Sequence, residues 1–278
     1  GHPGEALSMA VIAAVNLKGG VGKTSCCIHL GGALAQLGHR VLLIDNDPQS
    51  SLTAGFLGPL ESRQIDPAAT IAAVLAGDDP YPEAVIRPTA YERIDLLPGS
   101  RLAASFNVPD PHKAPYEDQV RLRDFLAPVR GAYDVVMIDC PPNLHLASWS
   151  ALAASDCLMV PVMPEDFGAQ GTADVAECAA LARAVINPGL TLLGYVVSMY
   201  NSRRTGHRLY VETMRAGHGG AVFETMIPDV ADFADAIGLL KPVTVYKPRS
   251  AAAKAIKALA EEILARLAVP AGSERGAA

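Results

Sequence analysis

A doubly wound α/β fold, with one mostly parallel sheet covered by helices on both faces, is what this chain predicts. Three observations carry that expectation. Short apolar runs that suit buried strands alternate with longer amphipathic stretches that suit helices, the order that builds a parallel sheet. A glycine-rich turn joins the first apolar run to the first helical stretch. The chain is 278 residues long and 50% hydrophobic, enough to bury an ample core.

The elements follow in order. Met9 to Val15 is wholly apolar, and a strand is expected over 9–16. The helix expected over 24–37 stops at Gly38. Val41-Leu42-Leu43-Ile44 marks a strand over 40–45, followed by a helix near 67–76. The proline-rich segments 78–88 and 107–115 read as surface loops. Between and after them come a strand at 94–97, a helix near 117–127 and a strand over 133–139. A helix near 145–154, a strand at 156–162, a helix near 168–186 and a strand at 190–199 continue the alternation. A helix near 206–217 and a strand at 221–227 precede the final helix, 251–268. That helix places Ile256, Leu259, Ile263, Leu264 and Leu267 mostly three or four positions apart.

Residues 1–8 read as an expression-tag remnant before a natural start at Met9, and 9–268 as a single domain. Residues 269–278 read as a flexible tail. No secretory signal is recognisable, and no apolar run approaches the roughly eighteen residues of a membrane-spanning helix. Five cysteines, at 26, 27, 140, 157 and 178, show no metal-ligand spacing and are expected to be reduced thiols in a cytoplasmic protein. The net charge of −6 argues against a generally nucleic-acid-coated surface but leaves room for a local basic face. Two segments qualify. Arg203, Arg204, Arg208 and Arg215 are opposed within 201–220 by Glu212 alone, and 241–270 holds six cations, including Lys247, Arg249, Lys254 and Lys257, against Glu261 and Glu262.

The stretch Lys18-Gly19-Gly20-Val21-Gly22-Lys23-Thr24-Ser25 carries the most chemistry. Its end matches the phosphate-binding pattern G-x-x-x-x-G-K-[ST], but Leu17 stands where the first glycine belongs, and a second cation, Lys18, has been gained. Glycines at 19, 20 and 22 let the backbone approach a phosphate closely. Thr24 and Ser25 open a helix whose free N–H groups favour an anion. Lys23 is placed to neutralise β/γ oxygens, and Thr24 to offer a hydroxyl to Mg²⁺. Lys18, at the loop's other end, is placed to reach the phosphates of a facing subunit, as an arginine finger does in trans.

Two acid-tipped strands complete the pattern. Asp45-Asn46-Asp47-Pro48-Gln49 follows the second strand, and its two carboxylates would project the same way if the strand persisted. Asp45 could then hold a water of the Mg²⁺ shell while Asp47 orients the attacking water, or the reverse. Val135-Val136-Met137-Ile138-Asp139 has the form of a Walker-B strand, with Asp139 toward Mg²⁺ and the stiff Cys140-Pro141-Pro142 behind it.

These residues resemble the ParA/MinD group of deviant-Walker P-loop ATPases, and within it the ParA (Soj) partition ATPases. K-G-G-V-G-K-T at 18–24, D-x-D-P-Q at 45–49 and I-D-C-P-P at 138–142 carry the resemblance. Pro161-Val162-x-Pro164-Glu165, Lys241-Pro242-Val243 and the segment from Tyr246 to Ala253 support it. The resemblance implies ATP and Mg²⁺ as ligands and a homodimer that closes around ATP, with Lys18 acting across it. It implies Asp47 as a residue needed for hydrolysis, and Asn201 and Pro228 as further nucleotide contacts. It also implies weak basal hydrolysis stimulated by a ParB-like or cargo-adaptor protein, and ATP-gated, non-specific binding to nucleoid DNA that positions a plasmid, chromosome or protein-body cargo.

One departure stands out. Where chromosomal members usually carry arginines after the segment ending Ile227-Pro228, this chain has Asp229-Val230-Ala231-Asp232, so DNA contact would fall to the basic residues at 203–215 and 247–257. The alternative reading is a MinD-like, membrane-associated spatial regulator, which would need a basic amphipathic C-terminus; the break at Leu267-Ala268-Val269-Pro270 argues against it. A cluster-binding relative would need paired interfacial cysteines, and a small-molecule synthetase a second substrate pocket. The sequence displays neither.

Overall fold

The computed structural model describes residues 9–164 and 170–269. The presumed tag remnant, Glu165 and residues 270–278 of the expected tail lie outside them. Seven strands form one sheet: β1 (Ala10–Ala14), β2 (Val41–Asp45), β3 (Arg87–Pro88), β4 (Ile94–Leu97), β5 (Val135–Asp139), β6 (Cys157–Val162) and β7 (Thr191–Val197). Their order is β3-β4-β2-β5-β1-β6-β7, and every pairing is parallel except the β3 edge. The doubly wound, mostly parallel sheet expected from the alternation is the observed one.

Twelve helices surround the sheet: α1 (Lys23–Gln36), α2 (Ser51–Leu57), α3 (Pro59–Gln64), α4 (Ile71–Ala76), α5 (Pro82–Val85), α6 (Tyr116–Leu126), α7 (Leu146–Ala154), α8 (Gln170–Val185), α9 (Thr205–His218), α10 (Asp232–Gly238), α11 (Val243–Tyr246) and α12 (Ala251–Ala268), among the described residues. Strand alternation divides the core into two layers. Val11 and Ala13 of β1 face Trp149 of α7 and Leu122 of α6, whereas Ile12 and Ala14 face Leu30 of α1 and Ile256 of α12. Trp149 is fully buried and donates its indole N–H to Gln119 Oε1 at 2.8 Å, tying α7 to α6. The long helix α12 spends its apolar stripe on the core, through Ile256, Leu259 and Ile263. No helix among the described residues is long and apolar enough to cross a membrane.

Three local expectations are corrected. Residues 221–227 run beside β7 but form only isolated bridges, Tyr195 with Val222 and Tyr200 with Pro228. The reason is competition for donors: the Glu262 carboxylate accepts the backbone N–H groups of Glu224 and Thr225, at 2.9 and 3.0 Å, so no ladder propagates. Gly194, at φ 154°, permits this close passage, since a Cβ there would stand 2.6 Å from the Ala221 carbonyl oxygen. The presumed loop 78–88 contains α5 and β3, with Pro88 on an edge strand where its missing N–H costs nothing. The helix expected over 67–76 is a 3₁₀ turn at Pro67–Ala69 followed by α4, divided at Thr70, whose hydroxyl accepts the Ala72 N–H. Helices α2, α3 and α10 had no counterpart in the sequence reading. They are short, and none has a side-chain N-cap hydrogen bond.

Candidate functional site

The glycine-rich loop joins β1 to α1 at the carboxyl edge of the sheet, where ligands of such folds bind. Asn16 builds its base. The buried Asn16 amide donates to the Pro161 carbonyl at 2.7 Å, and its Oδ1 accepts the Lys18 N–H at 2.9 Å. Val21 is buried, and its carbonyl accepts the Ser198 hydroxyl proton at 2.8 Å, pinning the loop's far side. Between these anchors, Lys18, Gly19 and Gly20 are exposed. Gly20 and Gly22 take φ of 77° and 85°, torsions that a side chain resists.

Lys23 is buried, and its ammonium donates to the Lys18 carbonyl at 3.0 Å. Burial lowers its pKa, an effect opposed by the nearby Asp139 carboxylate. The Thr24 hydroxyl donates to Asp139 Oδ2 at 2.6 Å. Asp139 Oδ1 is buried with no partner among the described residues. Burial, with Asp45 and Asp47 close by, pushes the Asp139 pKa well above the usual carboxylate range.

Asp45 and Asp139 are register partners on β2 and β5, so the sheet itself sets the two acids side by side. Asp45 Oδ2 accepts both the N–H and the hydroxyl proton of Thr53, at 2.8 and 2.6 Å. Burial raises its pKa to about 6, and hydrogen bonds from Thr53 moderate the shift. The condition under which Asp45 and Asp47 would project the same way, a strand running through both, is not met. The strand ends at Asp45, and Asp47 sits in the following turn, half-buried, with Oδ1 accepting the Gln49 N–H at 2.9 Å. The strand does not persist because Ser50 takes left-handed torsions, and its N–H donates to the Asp47 carbonyl, closing a turn.

A cleft of about 520 Å³ opens beside the loop, lined by Gly22, Ser25, Pro228 and the apolar Met199, Phe233 and Ile237. Pro228 thus lines the same cleft as Gly22 and Ser25 of the loop. Asn201 stands next to the Tyr200–Pro228 bridge, with its N–H donating to His207 Nδ1 and its Oδ1 accepting the Arg203 N–H; it is not among the cleft-lining residues. Met199, Phe233 and Ile237 carry no sequence signal as site residues, because apolar residues in a strand or an unassigned segment look like ordinary core.

The expected DNA-binding cations divide. Arg203, Arg204, Arg249 and Lys254 are exposed, and Lys257 is half-exposed. Arg208, also exposed, donates to the Ser202 carbonyl and the Thr205 hydroxyl. Arg215 pairs with Glu224 at 3.1 Å, and Lys247 with Asp232 at 2.6 Å. Each of these acids lies outside the local segment whose excess of cations pointed to Arg215 or Lys247. None of the five cysteines is in a disulfide, all are buried except the half-exposed Cys178, and no cluster of three His, Cys, Asp or Glu suits a metal among the described residues.

A family model described as an AAA domain matches residues 9–192. The chromosome partitioning protein ParA of Caulobacter vibrioides is 34% identical over 261 residues, covering 93% of this chain and 95% of that protein. The sporulation initiation inhibitor protein Soj of Bacillus subtilis is 32% identical over 256 residues, covering 92% and 98%. Among solved structures, cobyrinic acid a,c-diamide synthase from Mycobacterium smegmatis with bound ATP analog and magnesium superposes with a TM-score of 0.77 at 28% identity, over 92% of this chain and 94% of that one. With its two-lysine loop, acid-tipped strands and sheet order, the chain belongs to the ParA/MinD type of P-loop ATPases.

Proposed function

We propose that this protein is an ATP-dependent, dimerising ATPase that positions a cargo through ATP-gated, non-specific DNA binding. The observation that carries the reading is the loop itself: Lys23 buried at its base, Lys18 exposed at its lip, and Thr24 bound to Asp139 behind it.

Each residue has a role in that reading. Backbone N–H groups from Gly19 to Ser25 cradle the phosphates. Lys23 turns from the Lys18 carbonyl toward β/γ oxygens, exchanging one oxygen acceptor for another. Pro228 and its apolar neighbours receive the base, and Asn201 follows the Tyr200–Pro228 bridge. Thr24 and Asp139 are hard oxygen donors, and the buried, unpartnered Asp139 Oδ1 suits a cation that prefers such donors, so the residues fit Mg²⁺, with Asp45 adjoining. When bound, Mg²⁺ neutralises charge on the phosphates. Asp47 orients the attacking water. Lys18 reaches the triphosphate of the second subunit, making the dimer the hydrolytic unit. A ParB-like or cargo-adaptor protein stimulates a weak basal activity.

For DNA, the exposed Arg203, Arg204, Arg208, Arg249 and Lys254, with Lys257, supply the cations, and the protein is then cytoplasmic and nucleoid-associated. A gel-shift assay with ATP, ADP and no nucleotide tests the reading. ATP-selective DNA binding that falls steeply with salt is expected; equal or absent binding in all three states would remove DNA from the proposal. Light scattering with a non-hydrolysable ATP analogue tests the dimer.

A further inference from the structure

A second cleft, of about 380 Å³, lies beside the turn that carries Asp47 and shares no lining residue with the cleft beside the P-loop. Arg63 of α3, Arg101 after β4, and Ser50, Ser62 and Ser100 are among its lining residues. No acidic side chain lines it, in a chain whose net charge is −6. Both arginines are exposed, and neither is held in an ion pair among the described residues; the nearby Glu61 is engaged by Arg87 instead.

The wall of the cleft at Ser50 is the informative part. Ser50 is 7% exposed, and its Oγ is buried with no hydrogen-bond partner among the described residues. A buried hydroxyl left in that condition is a cost the fold bears without return unless something polar reaches it. Gly99 closes the space behind: a Cβ there would stand 2.8 Å from both Ser50 Oγ and Asp45 Cγ. The Gly99 N–H donates to Thr53 Oγ1 at 2.8 Å, and that hydroxyl donates to Asp45 Oδ2. Thr53 therefore occupies one Asp45 oxygen, and the exposed charge at the cleft is positive.

Two guanidiniums and a buried hydroxyl, supplied by three different segments, suit a ligand that presents several oxygens in several directions. A phosphate group offers three terminal oxygens tetrahedrally and up to two negative charges, whereas a carboxylate offers two oxygens in a plane. We propose that this cleft is a second anion site, taking a small phosphate-bearing molecule whose oxygens are gripped by Arg63 and Arg101 and receive a hydrogen bond from Ser50 Oγ.

The test uses the full chain saturated with Mg²⁺ and a non-hydrolysable ATP analogue, which fills the P-loop, and inorganic phosphate as the probe in a calorimetric titration. Saturable binding is expected, weakened about tenfold or more in Arg63→Ala/Arg101→Ala. Melting temperature and analogue affinity should not change in that variant. Ser50→Ala, which removes the hydroxyl alone, should weaken phosphate binding by a smaller factor. A tungstate soak should place its density between the two arginines. Absence of saturable binding, equal affinity in the double-arginine variant, or tungstate located elsewhere overturns the proposal. Because analogue affinity is measured separately, a failure of the ATPase reading would be visible on its own.

Discussion

The Thr24 hydroxyl lies 2.6 Å from Asp139 Oδ2, joining the first turn of α1 to the tip of β5 across 115 positions of sequence. That bond sets the entrance of the P-loop helix against the acid of the central strand. It leaves Asp139 Oδ1 buried and unpartnered among the described residues, an oxygen disposed to accept a cation. Around this pair the two lysines of the loop divide, Lys23 inward and Lys18 outward.

The division predicts different failures for the two lysines. Lys23→Ala removes the ammonium at the phosphate cradle, and binding of a fluorescent ATP analogue should be lost. Lys18→Ala should bind the analogue nearly as wild type does, yet remain monomeric or fail to hydrolyse. Light scattering and phosphate release distinguish these outcomes. Normal turnover in Lys18→Ala would remove the trans role of that lysine.

Asp47, in the turn beyond β2, should act in turnover rather than binding. Asp47→Ala is expected to leave ATP affinity intact and to lower kcat by roughly a hundredfold or more, the usual span for a positioned acid–base group. An ATP-bound dimer should accumulate. A single-turnover experiment checks this, and unchanged turnover would assign water positioning to another group.

His29 of α1, whose ring packs against the cleft-lining Phe233, supplies a pH dependence of stability. Its Nδ1 accepts the Val243 N–H at 2.9 Å, and burial lowers its pKa from 6.5 to about 4. Between those values the unfolded chain takes up a proton that the folded chain refuses. Stability present above pH 6.5 is therefore lost as pH falls toward 4. The difference amounts to about 3 kcal/mol, an order-of-magnitude figure. Urea unfolding at pH 7 and pH 4.5 should show the loss, and His29→Asn should show a flatter profile in that interval.

On the proposed DNA-binding reading, the ion pair between Asp232 and Lys247 holds back one cation from the DNA. Asp232→Ala frees the Lys247 ammonium, which should strengthen ATP-dependent DNA binding and steepen its salt dependence by about one counterion. The opposite change, Arg203→Ala with Arg204→Ala, should weaken binding for all sequences alike. No effect from either variant would place the DNA contact elsewhere or deny it.

Much of the architecture was readable because strands and helices announce themselves through local periods. The strand–loop–helix unit at 9–37, the acid-tipped strands ending at Asp45 and Asp139, and helix 251–268 all stand where the pattern puts them. The failures share a cause. At 221–227 an apolar segment had the composition of a strand, but the distant Glu262 takes two of its N–H donors. At 45–47 the period-two argument assumed a strand that Ser50 turns aside.

From the order of its residues alone, then, the chain determined its P-loop, its alternation of elements and the identity of its candidate catalytic groups. These depend on near neighbours and on backbone preferences that act over a few positions. Only the tertiary structure decided that Asp45 stands beside Asp139, that Asp232 holds Lys247, and that Arg63 and Arg101 line one cleft with Ser50. Those relationships join side chains 15 to 94 positions apart or gather them from separate segments, and no local period encodes which distant groups packing will bring together.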